Sequence, residues 1–257
     1  MDSVECMTDT SASGGPLPDQ DAPTALITGA NRGIGLELAR QYALQGWLVI
    51  ATARDPEQAG ELRALQAEFP GIEYEALDLS EHASIDAFAA RMGERSIDLL
   101  VNNAGTMGPL PLEEHIHRQR FGGIDYELWS EILLVNTLGT VHLTEVLMPN
   151  VAASRQKTIV MVSSSAGSIG GSDRNAMAYT SSKAALNKAS TIISRTVADQ
   201  GVIVLIMCPG HVKTRLGIGG AGLEINDSVT GMRQVIAGLT MADSGTFIRY
   251  NGESIPW

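Results

Sequence analysis

From Thr24 onward the chain alternates short apolar, β-branched runs with longer stretches whose apolar residues recur at helical spacing. TALIT, WLVIATA, IEYEALDL, IDLLVN, TIVMVS, VIVLIM and TFIRY are the candidate strands, and their near-continuous apolar character suits strands covered on both faces. Between them GIGLELARQYALQG, DPEQAGELRALQAEF, HASIDAFAARMG, YELWSEILLVNTLGTVHLTEVLMPNV and AYTSSKAALNKASTIISRTVADQ carry amphipathic helical periodicity. Such alternation predicts an α/β fold, a doubly wound parallel sheet of about seven strands with helices on both faces. No repeat or linker divides it, so residues 23–257 are expected to form one domain.

Two segments interrupt the rhythm. Residues 106–124, TMGPLPLEEHIHRQRFGGI, mix Pro, Gly and charge and read as a loop with one short helix; His115 and His117 sit in it as solvated loop side chains, with no matching metal-ligand cluster. Residues 215–228, RLGIGGAGLEINDS, are Gly-rich and follow the last long apolar run, where a lid over a substrate is expected. Ahead of the domain, residues 1–22 are rich in Ser, Asp, Gly and Pro and read as a disordered tail without signal-peptide character.

At a formal charge of −11, with no basic stripe, the chain is a poor match for nucleic acid or an anionic membrane, so any anionic ligand must be captured by local positive groups. No apolar run is long enough to span a bilayer, and the two cysteines, Cys6 and Cys208, form no disulfide framework. A reduced cytoplasmic setting is expected.

TALITGANRGIGLELAR joins the first strand to the first helix through Gly29, Gly33 and Gly35. Glycines permit a tight turn and close approach of backbone to phosphate, and the unpaired N–H groups of the helix start favour an anion. Near the end of the second strand an NAD site offers a carboxylate to the ribose 2′-hydroxyl; here Ala53 stands in that place with Arg54 after it. Arg54 can clamp a 2′-phosphate, with Arg32 as a second positive group, so NADPH (NADP+) is expected over NADH. Asp55, followed by Pro56, reads as a helix N-cap in preference to a displaced ribose ligand.

Tyr179 and Lys183 stand four apart in one predicted helix and share a face. TGANRGIG, Asp78-Leu79, NNAG at 102–105, Asn136, the serines at 163–165, Tyr179-x-x-x-Lys183 and the Pro209-Gly210 element, in that order, resemble the short-chain dehydrogenase/reductase family. The ending DSVTGMRQVIAGLTMADSGTFIRYNGESIPW is similar to its C-factor and sniffer-type carbonyl reductase branch. The resemblance implies a Rossmann-like domain and a catalytic tetrad of Asn136, Ser164, Tyr179 and Lys183. Serine stands slightly farther from tyrosine than the family pattern, through AGSIGGSDRNAM, which leaves Ser163 and Ser165 as alternatives to Ser164. By the same resemblance Gly29, Asn31, Arg32, Gly33, Ile34 and Gly35 hold the phosphates. Asp78 and Leu79 line the adenine pocket, Asn103, Ala104 and Gly105 pack along the cofactor, and Pro209, Gly210, Val212 and Thr214 hold the nicotinamide end with Tyr179 and Lys183.

These residue types suit carbonyl reduction, in which a proton must meet the developing alkoxide. A phenol titrates near 10, and a cation about 4 Å away at an effective dielectric near 20 is worth roughly 4 kcal/mol, so Lys183 is expected to pull Tyr179 down by about three pKa units before desolvation opposes it. Ser164 would orient the carbonyl oxygen, and Asn136 would distort its helix to hold a proton-relaying water. Cys208 reads as a buried thiol and His211 as a loop imidazole. The expected function is NADPH-dependent reduction of a small neutral aldehyde, ketone or diketone, reversible in principle. The alternative is a dinucleotide-binding signalling protein of C-factor type with incidental catalysis. Pairing of copies into a dimer or tetramer through the helices at 126–150 and 179–199 is a further expectation.

Overall fold

The computed structural model describes residues 19, 21–172, 174–215 and 222–257. Most of the predicted tail, including Cys6, lies outside the described residues, as do Asp173 and residues 216–221 of the predicted lid.

Seven strands form the sheet: β1 (Thr24–Ile27), β2 (Leu48–Ala53), β3 (Ile72–Ala76), β4 (Leu99–Asn102), β5 (Thr158–Val162), β6 (Ile203–Cys208) and β7 (Phe247–Arg249). All pair in parallel in the order β3-β2-β1-β4-β5-β6-β7. The helices are α1 (Gly33–Leu44), α2 (Gly60–Glu68), α3 (His82–Met92), the one-turn α4 (Leu112–His115), α5 (Tyr126–Leu133), α6 (Thr140–Val146), α7 (Met148–Ala152), α8 (Met177–Thr196) and α9 (Ile225–Ala237). Each predicted strand is present. The long stretch predicted as one helix from 126 is broken into α5, a widened π-helical turn at Leu134–Gly139, α6 and α7.

Alternate strand residues feed two cores, as period 2 requires. Ala25, Ile27, Val49, Val101, Val160 and Leu205 pack on one face against Leu38 and Tyr42 of α1, Leu62 of α2 and Val229 and Met232 of α9. Leu26, Ile50, Leu100, Ile159 and Val204 pack on the other against Ile85 and Phe88 of α3, Leu143 of α6 and Leu186 of α8. Helix α9 was not expected: its start falls in the stretch predicted as a lid, although Ile225, Val229, Met232, Val235 and Ile236 carry helical spacing.

With every strand pointing the same way, all carboxyl ends open onto one edge, where the predicted motifs gather. The opposite edge is tied by Asp98, which is 5% exposed and accepts N–H bonds from Thr24 at 2.9 Å, Arg155 at 3.2 Å and Gln156 at 3.3 Å. One carboxylate thus joins the starts of β1 and β4 to the turn before β5. Replacing Asp98 by Ala leaves these N–H groups without their acceptor. Denaturant unfolding is expected to show a loss of about 3 kcal/mol with little change in m-value, and a loss below about 0.5 kcal/mol would show that the tie is not needed.

Candidate active site

The turn after β1 is built by contact as much as by conformation. Gly29 holds φ at +65°, and a Cβ there would meet the Cα of Ala104 at 2.9 Å. A Cβ on Gly35 would run into the Gly29 carbonyl and lie 2.5 Å from the Asn103 side-chain amide. Asn103 clips this turn, its Nδ2 donating to the Thr28 carbonyl at 2.8 Å, while the Thr28 hydroxyl accepts N–H bonds from Asn103 and Ala104 at 3.0 and 2.9 Å. Helix α1 begins without a side-chain cap or an acidic residue in its first turn, so its leading N–H groups face the cleft uncompensated.

That cleft, of about 1910 Å³, runs along the carboxyl edge of the sheet, and all eighteen of the predicted cofactor residues line it. At one end stand Arg32 and Arg54, both exposed and neither paired with a carboxylate among the described residues. Asp55 behaves as a cap: its carboxylate accepts from the Gln58 backbone at 3.3 Å and the Gln58 side chain at 2.6 Å. Asp78 is occupied by Ser80, accepting its N–H at 2.9 Å and its hydroxyl at 2.6 Å, which shapes the wall beside Leu79. The fit to a dinucleotide therefore rests on a glycine turn with no room for side chains, free helical N–H groups and two unpaired guanidiniums at a fixed end.

At the other end are Ser163, Ser164, Ser165, Tyr179 and Lys183. The three serines are distinguished by their partners. Ser163 Oγ is buried and donates to Asn187 Oδ1 at 2.5 Å, and the Ser165 N–H is taken by Cys208 Sγ at 3.2 Å. Ser164 caps its own turn, accepting from the Ala166 N–H at 3.1 Å, and its hydroxyl stands on the same stretch of cleft wall as Tyr179. Asn136 is fully buried in the π-helical turn and does not line the cleft. Its Oδ1 accepts the Thr106 N–H at 2.7 Å, and its Nδ2 donates to the Thr106 carbonyl at 2.8 Å and to Ser182 Oγ at 3.0 Å. The helix distortion expected at Asn136 is present, and the side chain itself is spent on fixing Thr106 beside the substrate end.

The expected electrostatic balance between Tyr179 and Lys183 is corrected. Burial raises the Tyr179 phenol above its ordinary value; the Ser164 hydroxyl and the Arg174 charge pull the other way without offsetting it. Lys183 is 4% exposed, donates to the Val162 carbonyl at 2.9 Å, and is pushed down to about 8 by burial. Desolvation penalises tyrosinate and ammonium alike, so at neutral pH the phenol keeps its proton. Cys208 is the buried thiol expected.

Met107 and Arg174 fall in the stretches 106–109 and 166–177 that the sequence offers as pocket borders, whereas Leu110, Leu128, Glu131 and Ile132, and Gln58 and Glu61 near the arginine end, were not anticipated. Residues 106–124 hold two helical turns, Leu112–His115 and Ile116–Gln119, with His115 half-buried and His117 exposed. His211 is exposed in the cleft wall, and its carbonyl accepts the Leu223 N–H at 2.8 Å, which brings the return of the predicted lid alongside Val212. Among the described residues no helix is long and apolar enough to cross a membrane, and no group of three His, Cys, Asp or Glu is placed to hold a metal ion.

Comparison with known proteins agrees with this geometry. The sequence model of the short chain dehydrogenase family matches residues 23–219. The chain is 34% identical over 172 residues to the C-signal of Myxococcus xanthus, a match covering 66% of this chain and 99% of that one. The NADPH-bound carbonyl reductase from chicken fatty liver superposes with a TM-score of 0.82 at 30% identity, covering 92% of this chain and 99% of the other. The carbonyl reductase Sniffer of D. melanogaster gives 0.81 at 28% identity, covering 92% and 100%.

Lys183 makes stability depend on pH in a defined direction. Between about 8 and 10.5 the unfolded chain holds a proton on this lysine that the folded protein has released, so folding is favoured as pH rises through that window. Unfolding free energies of the wild type and Lys183→Met, measured from pH 7 to 10, are expected to diverge by up to about 1.4 kcal/mol per pH unit, the wild type gaining. Parallel curves would show that Lys183 titrates normally.

Proposed function

The chain belongs to the short chain dehydrogenase family, and from that premise we propose that it is an NADPH-dependent carbonyl reductase acting on small neutral aldehydes, ketones or diketones, reversible in principle. The observation that carries the reading is that Tyr179, beside Ser164 and one helical turn before Lys183, lines the same cleft as the glycine turn. The bound dinucleotide supplies the hydride. The NADPH-bound structure among the solved relatives supports that choice of cofactor, and so do the unpaired Arg32 and Arg54, whose guanidiniums match a 2′-phosphate.

The chain's own residues do the rest. Ser164 and Tyr179 hold the carbonyl oxygen between two hydroxyls, polarising the carbon toward the hydride. Tyr179 gives its proton to that oxygen as the alkoxide develops; in oxidation the same oxygen takes a proton back. Lys183, one turn along the same face of α8, stands where its ammonium stabilises the tyrosinate left behind. Asn136 keeps Thr106 and the adjacent wall in place. The apolar wall of Met107, Leu110, Leu128 and Ile132, with Glu131 and Arg174 offsetting one another in sign, favours an uncharged substrate.

A second reading, a dinucleotide-binding signalling protein, draws on the likeness to the C-signal. Tyr179→Phe separates the two. With a panel of aldehydes, ketones and diketones, NADPH oxidation is expected from the wild type and a loss of about 10²-fold or more in kcat from Tyr179→Phe, with NADPH affinity retained. Turnover that survives the change would remove Tyr179 as proton donor, and wild-type binding of NADPH with no turnover would favour the signalling reading. Arg54→Ala is expected to raise KM for NADPH about tenfold or more while leaving KM for NADH unchanged; equal effects on both would show that Arg54 does not read the 2′-phosphate.

A further inference from the structure

We propose that Gln119 is a positioning residue: its side-chain amide straps the substrate wall at Met107 to the backbone of Tyr179 and sets where the proton donor stands. The proposal deepens the proposed function and rests on Tyr179 being that donor. Gln119 closes the helical turn Ile116–Gln119 and is 1% exposed. Its Nε2 donates to the Met107 carbonyl at 2.7 Å, and its Oε1 accepts the Tyr179 N–H at 3.1 Å.

The need for such a partner follows from where α8 begins. The helix starts at Met177, so the Tyr179 N–H is among the first four, which have no acceptor within the helix. The N-cap, Ala176, has no side chain that could supply one. Gln119, sixty residues earlier in the chain, supplies it. Met107 and Tyr179 both line the cleft, so one amide fixes the spacing between the substrate wall and the reacting side chain.

Residue type matters here. The strap needs a donor at one end and an acceptor at the other, because the groups it meets are a carbonyl and an N–H. A carboxylate offers two acceptors, and an aliphatic side chain offers neither. The segment around Gln119 is itself held: Arg118 pairs with Asp125 at 2.5 Å, Asp125 caps α5 through the Leu128 N–H at 3.0 Å, and the Asp125 N–H donates to the Arg118 carbonyl at 2.9 Å. Residues 106–124, expected as a solvated loop, thus reach the active site through a buried contact.

Two variants test the strap. Gln119→Leu keeps the volume and removes both hydrogen bonds; kcat is expected to fall about tenfold to hundredfold with KM for NADPH unchanged and the protein folded at the assay temperature. In Gln119→Glu the introduced carboxyl, when protonated, can donate to Met107 and accept from Tyr179 as the amide does; when ionised it sets an oxygen against the Met107 carbonyl. Its kcat is therefore expected to recover toward wild type as pH is lowered, a dependence absent from Gln119→Leu. Unchanged kcat in folded Gln119→Leu, or Gln119→Glu and Gln119→Leu with the same pH profile, would overturn the proposal. Amide hydrogen exchange reads the strap without turnover: Gln119→Leu is expected to speed exchange at Tyr179 at least about tenfold while the Leu186 amide, deep in α8, is unmoved. An unchanged Tyr179 amide would overturn the strap, whereas absent turnover in the wild type would overturn the reading of Tyr179 alone.

Discussion

The close approach of three backbones at the carboxyl end of β1 is the constraint on which the site depends. Gly35 sits against the Gly29 carbonyl and the Asn103 side-chain amide, and Gly29 against Ala104, so the β1 turn, the first turn of α1 and the end of β4 interlock with no room for a Cβ at either glycine. That contact leaves the first N–H groups of α1 facing outward into a cleft, and it fixes the floor against which every later loop is laid. Parallel pairing does the rest. Because β5 and β6 end at the same edge, the Ser164 turn and the Pro209 turn arrive beside it without any long-range instruction beyond strand direction.

How much of this was legible depends on the range of the interaction. Strand identity, the glycine turn, the arginines after β1 and β2 and the Tyr179 to Lys183 spacing are local patterns, and the sequence carries them openly. Helix α9 carried a readable apolar period but was masked by the Gly-rich stretch before it. The π-helical turn was foreseen only by resemblance, and its cause is tertiary: Asn136 is tied to Thr106, thirty residues away, and Thr137 donates to the Ser182 carbonyl at 2.9 Å. Gln119 had no sequence signal, since a lone glutamine in a polar segment is unremarkable until its sixty-residue contact with Tyr179 is formed.

The balance of charge at Tyr179 also illustrates why pair spacing alone misleads. A lysine one turn from a tyrosine lowers the phenol pKa only where the field of its ammonium at the oxygen outweighs the desolvation of the phenol. Lys183 is instead buried, bonded to the Val162 carbonyl and pushed down to about 8, while burial raises the phenol. For the proposed reduction this is the useful state, because a phenol that holds its proton at neutral pH has one to give.

These features divide the labour between rigid and adjustable parts. The dinucleotide end is set by main-chain contacts that no substitution at Gly29 or Gly35 can accommodate. The substrate end is set by side chains that reach across from separate segments: Asn136 to Thr106, Gln119 to Met107 and Tyr179, Trp129 to Ser181 at 2.9 Å. Each of these bonds satisfies a polar group inside the protein, so each is costly to lose, yet each can be re-formed by a different residue on a differently built segment. A fold of this kind can therefore hold its cofactor chemistry constant while the wall that meets the carbonyl compound is rebuilt, provided that the start of α8 still finds an acceptor for its orphaned N–H groups.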